Sequence, residues 1–226
     1  MSFVRISIVV PALDAAIFLP ACLAALAEAP DAERLLVDGG STDGTSGIAR
    51  AAGWRVIDAP RGRGLQLAAG ARAASGDWLL FVHADTVLAP GWHTEASAFA
   101  ADPANSGYAG FFRLAFDTAD PRAARVARLA NWRARALGLP YGDQGLLIAR
   151  ATYERRGGYR PLPLMEDVDF VRRLGRANLR ELPATATTSA ARYERDGWWG
   201  RPARNLLCLT LWSAGVSPGT IARLYR

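Results

Sequence analysis

Hydrophobic and polar positions follow two alternating patterns over the first hundred residues. Short runs of consecutive apolar, often β-branched residues are typical of strands buried on both faces, and they alternate with segments of helical apolar spacing. The predicted strands are RISIVVP, ERLLVDGG, WRVIDAP and DWLLFVHAD, and the helices between them are AIFLPACLAALAEA, STDGTSGIARAAG and GLQLAAGARAAS. This alternation predicts an α/β fold whose mostly parallel sheet is flanked by helices.

The pattern is less regular after residue 100. SGYAGFFRLAFD alternates as an antiparallel or edge strand does, and DQGLLIAR predicts another strand. Helical spacing returns in PRAARVARLANWRARALG and EDVDFVRRLGR, and PARNLLCLTLWSAGVSPGTIARLYR predicts one or two C-terminal helices. Since no linker or repeat interrupts the chain, we interpret residues 1–226 as one mixed α/β domain.

The composition supports a packed core and an anionic partner. Half of the residues are apolar, which excludes a disordered chain, and the formal charge of +6 rests on arginine alone. Arginine suits phosphates and carboxylates, so the charge permits a phosphorylated ligand or an anionic membrane surface. The arginines are scattered and no nucleic-acid-binding module is present, so we predict no nucleic-acid partner.

The cysteines and the apolar runs indicate the compartment. Cys22 and Cys208 are isolated and form neither a disulfide framework nor a zinc motif. The N-terminal apolar run is too short for a signal peptide, and no stretch approaches the roughly 20 apolar residues of a spanning helix. These features predict a cytoplasmic protein.

Acidic or turn residues follow three of the predicted strands, at Pro11–Asp14, Asp38–Asp43 and His83–Asp85. Open α/β sheets bind ligands beyond the carboxyl ends of their strands, so we expect these segments to meet at one edge. In DGGSTDGT the glycines allow a tight turn, and Ser41 or Asp43 can cap the next helix. A turn and a cap leave Asp38 unexplained, and we predict that its carboxylate accepts a hydrogen bond from a ligand.

Two further features are candidates for binding phosphate and metal. Arg61 and Arg63 stand among glycines before a helix, which favours a diphosphate, although a solvated basic loop is the competing interpretation. Asp85 offers the hard oxygen that Mg²⁺ or Mn²⁺ prefers, or it caps the following turn. Neither phosphate motif, Walker A or dinucleotide-binding, is present in its usual form.

The segment LPLMEDVDF supplies the candidate base. On a helical projection Asp167 points toward the apolar side chains, whereas Asp169 points elsewhere. Burial of that kind raises the pKa of a carboxyl group toward that of a useful base. The competing interpretation is that Glu166 and Asp167 occupy the first helical turn and interact favourably with the helix dipole.

Taken in order, these motifs resemble the family 2 glycosyltransferases of the GT-A fold, most closely the bacterial subgroup labelled arsenosugar-biosynthesis glycosyltransferases. The resemblance rests on VDGGSTDGT, GRGLQLAAGARAASGDWLLFVHADT, YGDQGLLIAR and LPLMEDVDF, and continues to AGVSPGTIARLY. It implies a nucleotide-binding half (1–100), an acceptor-binding and catalytic half (101–200) and C-terminal helices (201–226).

The resemblance also implies roles at matching positions. Asp167 would be the base that deprotonates an acceptor hydroxyl, supported by Glu166, in a displacement that inverts the anomeric carbon. Asp85 would bind a divalent metal, Mg²⁺ or Mn²⁺. Asp143 and Gln144 would contact an acceptor that the resemblance leaves unnamed. The nucleotide of a UDP- or GDP-sugar would contact Pro11, Ala12, Asp14, Asp38, Gly39, Arg63, Gln66, His83, Ala84 and Asp85.

This sequence departs from the family pattern at some of these positions. His83 stands where many relatives carry the first acid of a DxD motif, and Asp14-Ala15 replaces an Asn-Glu pair. In TSAARYER the paired arginines of the subgroup are reduced to Arg192, a candidate partner for the diphosphate.

Two alternative functions remain open at this stage. A sugar-nucleotide nucleotidyltransferase also uses an α/β sheet, a metal and a basic loop, but its long glycine-rich N-terminal signature is missing. A non-catalytic protein that binds nucleotide-sugar at a membrane surface is the other. Its support is DGWWGRPARNLLCLTLW, where tryptophans, arginines and an apolar helix either seat at the inner membrane face or dock on the core.

Overall fold

The computed structural model describes residues 4–225. Within that range the strands are β1 (Ile6–Ala12), β2 (Glu33–Asp38), β3 (Arg55–Asp58), β4 (Trp78–Phe81), β5 (Thr86–Leu88), β6 (Ala109–Phe116), β7 (Leu146–Ala149) and β8 (Leu179–Thr188). The α-helices are α1 (Leu19–Leu26), α2 (Thr45–Ala51), α3 (Arg63–Ala73), α4 (Trp92–Ala101), α5 (Pro121–Leu137), α6 (Arg150–Arg155), α7 (Glu166–Leu174), α8 (Ala191–Asp196), α9 (Gly200–Ser213) and α10 (Pro218–Tyr225).

All of these strands belong to one mixed sheet with the order β3-β2-β1-β4-β7-β6-β8-β5. The first four strands in this order pair in parallel, β7 runs antiparallel to β4 and β6, and β8 runs parallel to β6. The carboxyl ends of β1, β2 and β4 therefore meet at one edge of the sheet, as the sequence predicted.

The consecutive apolar residues of the central strands are buried because helices cover both faces of the sheet. In β1, Ile8 and Val10 belong to one core cluster and Val9 to the other, and Leu79 and Leu80 of β4 divide in the same way. Helix α3 packs closely on β1, since a Cβ at Gly70 would lie 2.3 Å from the Val9 side chain. This packing fixes the N-terminus of α3 beside the strand ends.

The second half of the sheet was predicted only in part. Strand β6 is antiparallel to β7, which confirms one of the two predicted alternatives, but it lies between β7 and β8 and is not an edge strand. Strand β8 was not predicted at all, because Pro183 interrupts its pattern, and the register with β6 shifts beside that proline, which cannot donate a ladder hydrogen bond. Strand β5, only three residues long, was also missed, and it pairs with the end of β8.

The last two helices pack against the rest of the fold through a few apolar side chains. Cys208 of α9 and Ile221 of α10 are buried in the same core cluster as α7. Across the described part of the chain, no helix is both long and apolar enough to cross a membrane. Both cysteines are buried and unpaired.

Candidate active site

Two adjoining cavities lie at the carboxyl edge of the sheet. The strand-end cavity, about 310 Å³, is lined by Pro11, Ala12, Asp14, Arg61, Gln66 and Ala84, among others. The helix-side cavity, about 120 Å³, is lined by Tyr141, Asp143, Met165, Asp167, Asn205 and Cys208, among others. The two cavities share Arg63, His83, Asp85 and Arg192, so these side chains form the wall between them.

Two loops are joined beside the strand-end cavity, and the loop after β1 lines it. Asp14, in the left-handed region with φ of 47°, accepts a hydrogen bond from the Thr42 amide at 2.9 Å and donates its own amide to Ser41 Oγ at 2.9 Å. Asp43 accepts from the Ala16 amide at 2.9 Å. The segment after β1 and the DGGST turn after β2 are thus held as one unit.

Asp38 and Gln66 lie beneath these loops. Asp38 is buried, and its carboxylate accepts hydrogen bonds from the Ser41 amide, from Ser41 Oγ at 2.5 Å and from Ser46 Oγ at 2.8 Å. Gln66 donates to the carbonyls of Ala12 at 2.6 Å and Val37 at 2.9 Å, which ties β1 to β2. A Cβ at Gly39 would meet that amide at 2.9 Å. Asp38 and Gly39 therefore lie next to the strand-end cavity without lining it.

We expect Asp38→Ala to lower the free energy of unfolding by about 1–3 kcal/mol, because the hydrogen bonds of Ser41 and Ser46 are lost. Urea unfolding measures this change. Asp58→Ala is the matched control, since Asp58 pairs with Asp38 in the adjacent strand but is exposed. Equal losses in the two variants would contradict the structural role of Asp38.

The shared wall combines a carboxylate, a neutral imidazole and two guanidinium groups. Burial, with Arg63 and Arg192 nearby, holds the pKa of His83 well below its ordinary value of 6.5, so the ring is neutral at physiological pH. Its Nε2 lies against Gly142, where an added Cβ would approach to 2.3 Å. Any side chain at position 142 would collide with His83, so the YGDQ segment can pack against the shared wall only with glycine there.

Arg63 forms an ion pair with Glu166 across the floor of the site. The Glu166 side chain is 1% exposed, whereas that of Arg63 is 38% exposed and reaches both cavities. Burial raises the pKa of Glu166, and Arg63 lowers it in opposition. The pair connects the N-terminus of α3 to that of α7.

Asp167 and Asp143 face the helix-side cavity. The Asp167 carboxylate accepts from the Gly142 amide at 3.0 Å and from the Val168 amide at 2.7 Å, which fixes its orientation. Burial raises the pKa of Asp143. Within residues 4–225 its buried Oδ1 has no hydrogen-bond partner, so this acid is available to a ligand hydroxyl.

The helical projection of α7, which placed Asp167 and not Asp169 on the apolar face, was wrong for both acids. Glu166 and Asp169 are buried, whereas Asp167 is only half-buried and faces the cavity. Asp169 is buried because Arg160 and Arg173 pair with it, at 3.2 and 2.7 Å. A helical projection uses only the angle of each residue around the helix axis. It takes no account of arginines elsewhere in the chain that can pair with a buried acid.

Gln144 does not reach either cavity. It is fully buried, and its amide donates to the Phe112 carbonyl at 3.1 Å and to Asn131 at 3.3 Å. Sequence reasoning missed several residues that line the helix-side cavity, among them Tyr141 and Met165. Others come from α9, where Arg201, Asn205 and Cys208 recur at helical spacing. That spacing was a signal, but it did not indicate which part of the fold the helix faces.

The residues at the shared wall fit a divalent metal only as a partial site. In the range 4–225, no group of three or more histidine, cysteine or acidic side chains is arranged to hold a metal ion. Asp85 alone presents a hard oxygen to both cavities. Because Mg²⁺ often takes one or two carboxylates with substrate phosphates and water, this donor set suits a metal that binds together with a diphosphate.

Comparisons with known proteins find sequences and structures similar to this chain. The "PGL/p-HBAD biosynthesis glycosyltransferase" of Mycobacterium bovis (strain BCG / Pasteur 1173P2) is 43% identical over 91 residues, which is 36% of this chain and 36% of that protein. The match thus spans about a third of the length of this curated relative.

Two solved structures share the fold over nearly the whole chain. Mannosyltransferase PcManGT from Pyrobaculum calidifontis, crystallised with GDP-Man and Mn²⁺, has a TM-score of 0.67 at 18% identity, covering 98% of this chain and 68% of that one. TarS 1-349 from S. aureus has a TM-score of 0.65 at 16% identity, covering 96% and 68%. TarS was also crystallised with UDP-GlcNAc.

These likenesses confirm the predicted GT-A fold. The sequence model "Glycosyl transferase family 2" matches residues 7–154, which is more than half of the chain. The chain therefore belongs to glycosyl transferase family 2.

Proposed function

We propose that the protein transfers a sugar from a nucleoside diphosphate to an acceptor hydroxyl, with inversion of the anomeric carbon. The observation that carries this proposal is the wall of Arg63, His83, Asp85 and Arg192 shared by two cavities. The strand-end cavity suits a nucleotide, and the helix-side cavity contains the oriented carboxylate of Asp167. The charged groups that suit a diphosphate lie between the two cavities.

The strand-end cavity is the proposed donor site. It lies beyond the carboxyl ends of parallel strands, where α/β sheets bind nucleotides. The Asp14 loop and the DGGST turn would enclose the base and ribose, with Pro11 and Ala12 as the floor. A UDP- or GDP-sugar is the expected donor, since TarS was crystallised with UDP-GlcNAc and PcManGT with GDP-Man.

Arg61, Arg63 and Arg192 are the proposed partners of the diphosphate. Guanidinium groups bind phosphate oxygens in a bidentate manner and would stabilise the charge on the departing nucleoside diphosphate. Asp85 would hold Mg²⁺ or Mn²⁺, and the ion, when bound, would supply further positive charge at the same leaving group.

Asp167 is the proposed general base. Its carboxylate would take the proton of the acceptor hydroxyl as the acceptor oxygen forms a bond to the anomeric carbon. The bond from that carbon to the diphosphate oxygen breaks at the same time. Because attack comes from the helix-side cavity and departure goes to the strand-end cavity, the configuration at the carbon inverts.

Asp143 is the proposed acceptor-binding residue. Its carboxyl, whose buried Oδ1 has no hydrogen-bond partner within residues 4–225, can bind an acceptor hydroxyl beside Asp167. Gln144 would act indirectly, because its hydrogen bonds to Phe112 and Asn131 hold the segment that carries Asp143.

A thermal-shift screen of UDP-, GDP- and dTDP-sugars, each with Mn²⁺ and with a chelator, tests the donor assignment. A shift that needs both one nucleotide-sugar and the metal supports it. Product analysis after incubation with that donor separates the reaction classes, because a nucleotidyltransferase releases pyrophosphate and a glycosyltransferase releases a nucleoside diphosphate. Pyrophosphate release would refute the proposal.

We expect Asp85→Ala to abolish the part of donor affinity that depends on metal, since it removes the one carboxylate of the shared wall. Calorimetric titration with the nucleotide-sugar in Mn²⁺ and in chelator measures it. Asp58→Ala, a change at an exposed strand end, is expected to keep the metal dependence. Unchanged affinity of Asp85→Ala in Mn²⁺ would exclude Asp85 from metal binding.

A further inference from the structure

Two helices of the structure carry exposed apolar side chains and arginines but no acidic residue of their own. The sequence has no Asp or Glu between residues 121 and 142, nor between 197 and 226. These stretches contain α5, α9 and α10. Their acid-free composition contrasts with a chain that has 21 acidic residues elsewhere, so the charge on this part of the molecule is one-sided.

The outer face of α5 presents an aromatic and an aliphatic side chain to solvent. Trp132 and Leu129 are each 56% exposed. Arg125, Arg128 and Arg135 are exposed and lie within a turn or two of Trp132 on the same face. The opposite face of the helix, with Ala123 and Val126 among others, is buried against the core.

Helix α9 likewise has one face exposed to solvent and the opposite face turned toward the protein. Leu206 is 64% exposed and Leu207 is 54% exposed. At 100° per residue they lie opposite the face that carries Arg201, Asn205 and Cys208 into the helix-side cavity. The exposed leucines are therefore not needed to line the proposed acceptor site.

The two helices pack against common clusters of the core. Ala123 and Val126 of α5 pack in one cluster with Tyr193 of α8 and with Trp198, which lies between α8 and α9. Ala134, near the other end of α5, shares a core cluster with Cys208 of α9. Both helices therefore pack against shared parts of the core, and each leaves its outer face open to solvent.

We propose that this surface binds the face of an anionic phospholipid bilayer. The basic–apolar surface is defined as Arg125, Arg128, Leu129, Trp132, Leu206 and Leu207. Tryptophan and leucine side chains insert at the boundary between headgroups and acyl chains, while arginines bind the negative headgroups. Both kinds of side chain are present here, and no acidic residue in either helix opposes the headgroup charge.

The same charge pattern argues against two other occupants. A second copy of the chain would bring arginines of like sign together, because a two-fold interface places the same patch on both subunits. A nucleic acid would satisfy the arginines but would leave exposed leucines without a partner. An anionic bilayer offers negative headgroups to the arginines and an apolar interior to the leucines.

Co-sedimentation with vesicles tests the proposal. We expect the full chain to bind vesicles of phosphatidylcholine mixed with phosphatidylglycerol and to bind phosphatidylcholine alone much more weakly. Arg125→Gln/Arg128→Gln should lower the partition coefficient by about thirtyfold, since each of the two arginines contributes a similar share of the binding free energy at an anionic surface. Trp132→Ser/Leu206→Ser should weaken binding even where the arginines remain.

The controls use equally exposed side chains elsewhere on the chain. Arg50→Gln/Arg72→Gln changes exposed arginines of α2 and α3, and Ile17→Ser changes an 83% exposed apolar residue. These variants should bind as the wild type does, and circular dichroism checks that all variants are folded. No binding to anionic vesicles would overturn the proposal. So would equal loss in the controls, or a dimer in analytical ultracentrifugation that Trp132→Ser dissociates.

Discussion

Asp167→Asn is expected to lower kcat by about 10²–10⁴-fold, the contribution typical of a general base, while donor affinity stays near that of the wild type. The amide keeps the shape of the side chain but cannot accept the acceptor proton. Asp167 lines the helix-side cavity and not the strand-end cavity, so the donor site is left intact.

The measurement combines initial rates of nucleoside diphosphate release with calorimetric titration of the donor. Asp169→Asn is the matched control, because it makes the same chemical change two residues along α7. Asp169→Asn weakens the ion pairs with Arg160 and Arg173. Its free energy of unfolding should therefore fall, while kcat of the folded protein stays near that of the wild type. A large loss of donor affinity in Asp167→Asn would instead make it a nucleotide-binding or structural residue.

The first half of the fold was predictable because its signals are local. β1, β2 and β4 each contain an apolar run that a sheet covered on both faces can bury, and all three were predicted. The turn after β2 contains glycines that fix its position. The meeting of Asp14, Arg63 and Asp85 at one edge followed from the geometry of parallel strands.

The rest required information that no short segment contains. Strand β8 has Pro183 in its interior and few large apolar residues, and it is a strand because β5 and β6 pair with it. Helix α9 lines the helix-side cavity because tertiary packing turns Asn205 and Cys208 toward α7. Its spacing indicated a helix but did not identify the neighbour that the helix faces.

Removing Arg63 is the change with the largest expected effect on stability. Arg63→Ala leaves the Glu166 carboxylate buried without its cation, and breaking a buried ion pair from one side costs about 3–5 kcal/mol of unfolding free energy. Glu166→Gln should cost less, because the remaining Arg63 side chain is 38% exposed and can be solvated. Urea unfolding of both variants measures this asymmetry.

The loss in Arg63→Ala should depend on pH in a definite direction. Burial raises the pKa of Glu166 above its ordinary 4.5, and Arg63 opposes that rise, so the variant's carboxyl has a still higher pKa. Between 4.5 and that pKa the folded state binds more protons than the unfolded state, so the unfolding free energy falls as pH rises. The deficit relative to wild type should therefore be smallest below pH 4.5 and grow above it.

The double variant Arg63→Met/Glu166→Met separates the ion pair from the packing around it. Apolar side chains of similar length remove both charges together, and replacing a buried pair in this way is often neutral or stabilising. The double variant should therefore be more stable than Arg63→Ala above pH 4.5 and show little of its pH dependence. A deficit that is the same at every pH, and is not recovered in the double variant, would mean that Arg63 stabilises the fold by contacts other than its charge on Glu166.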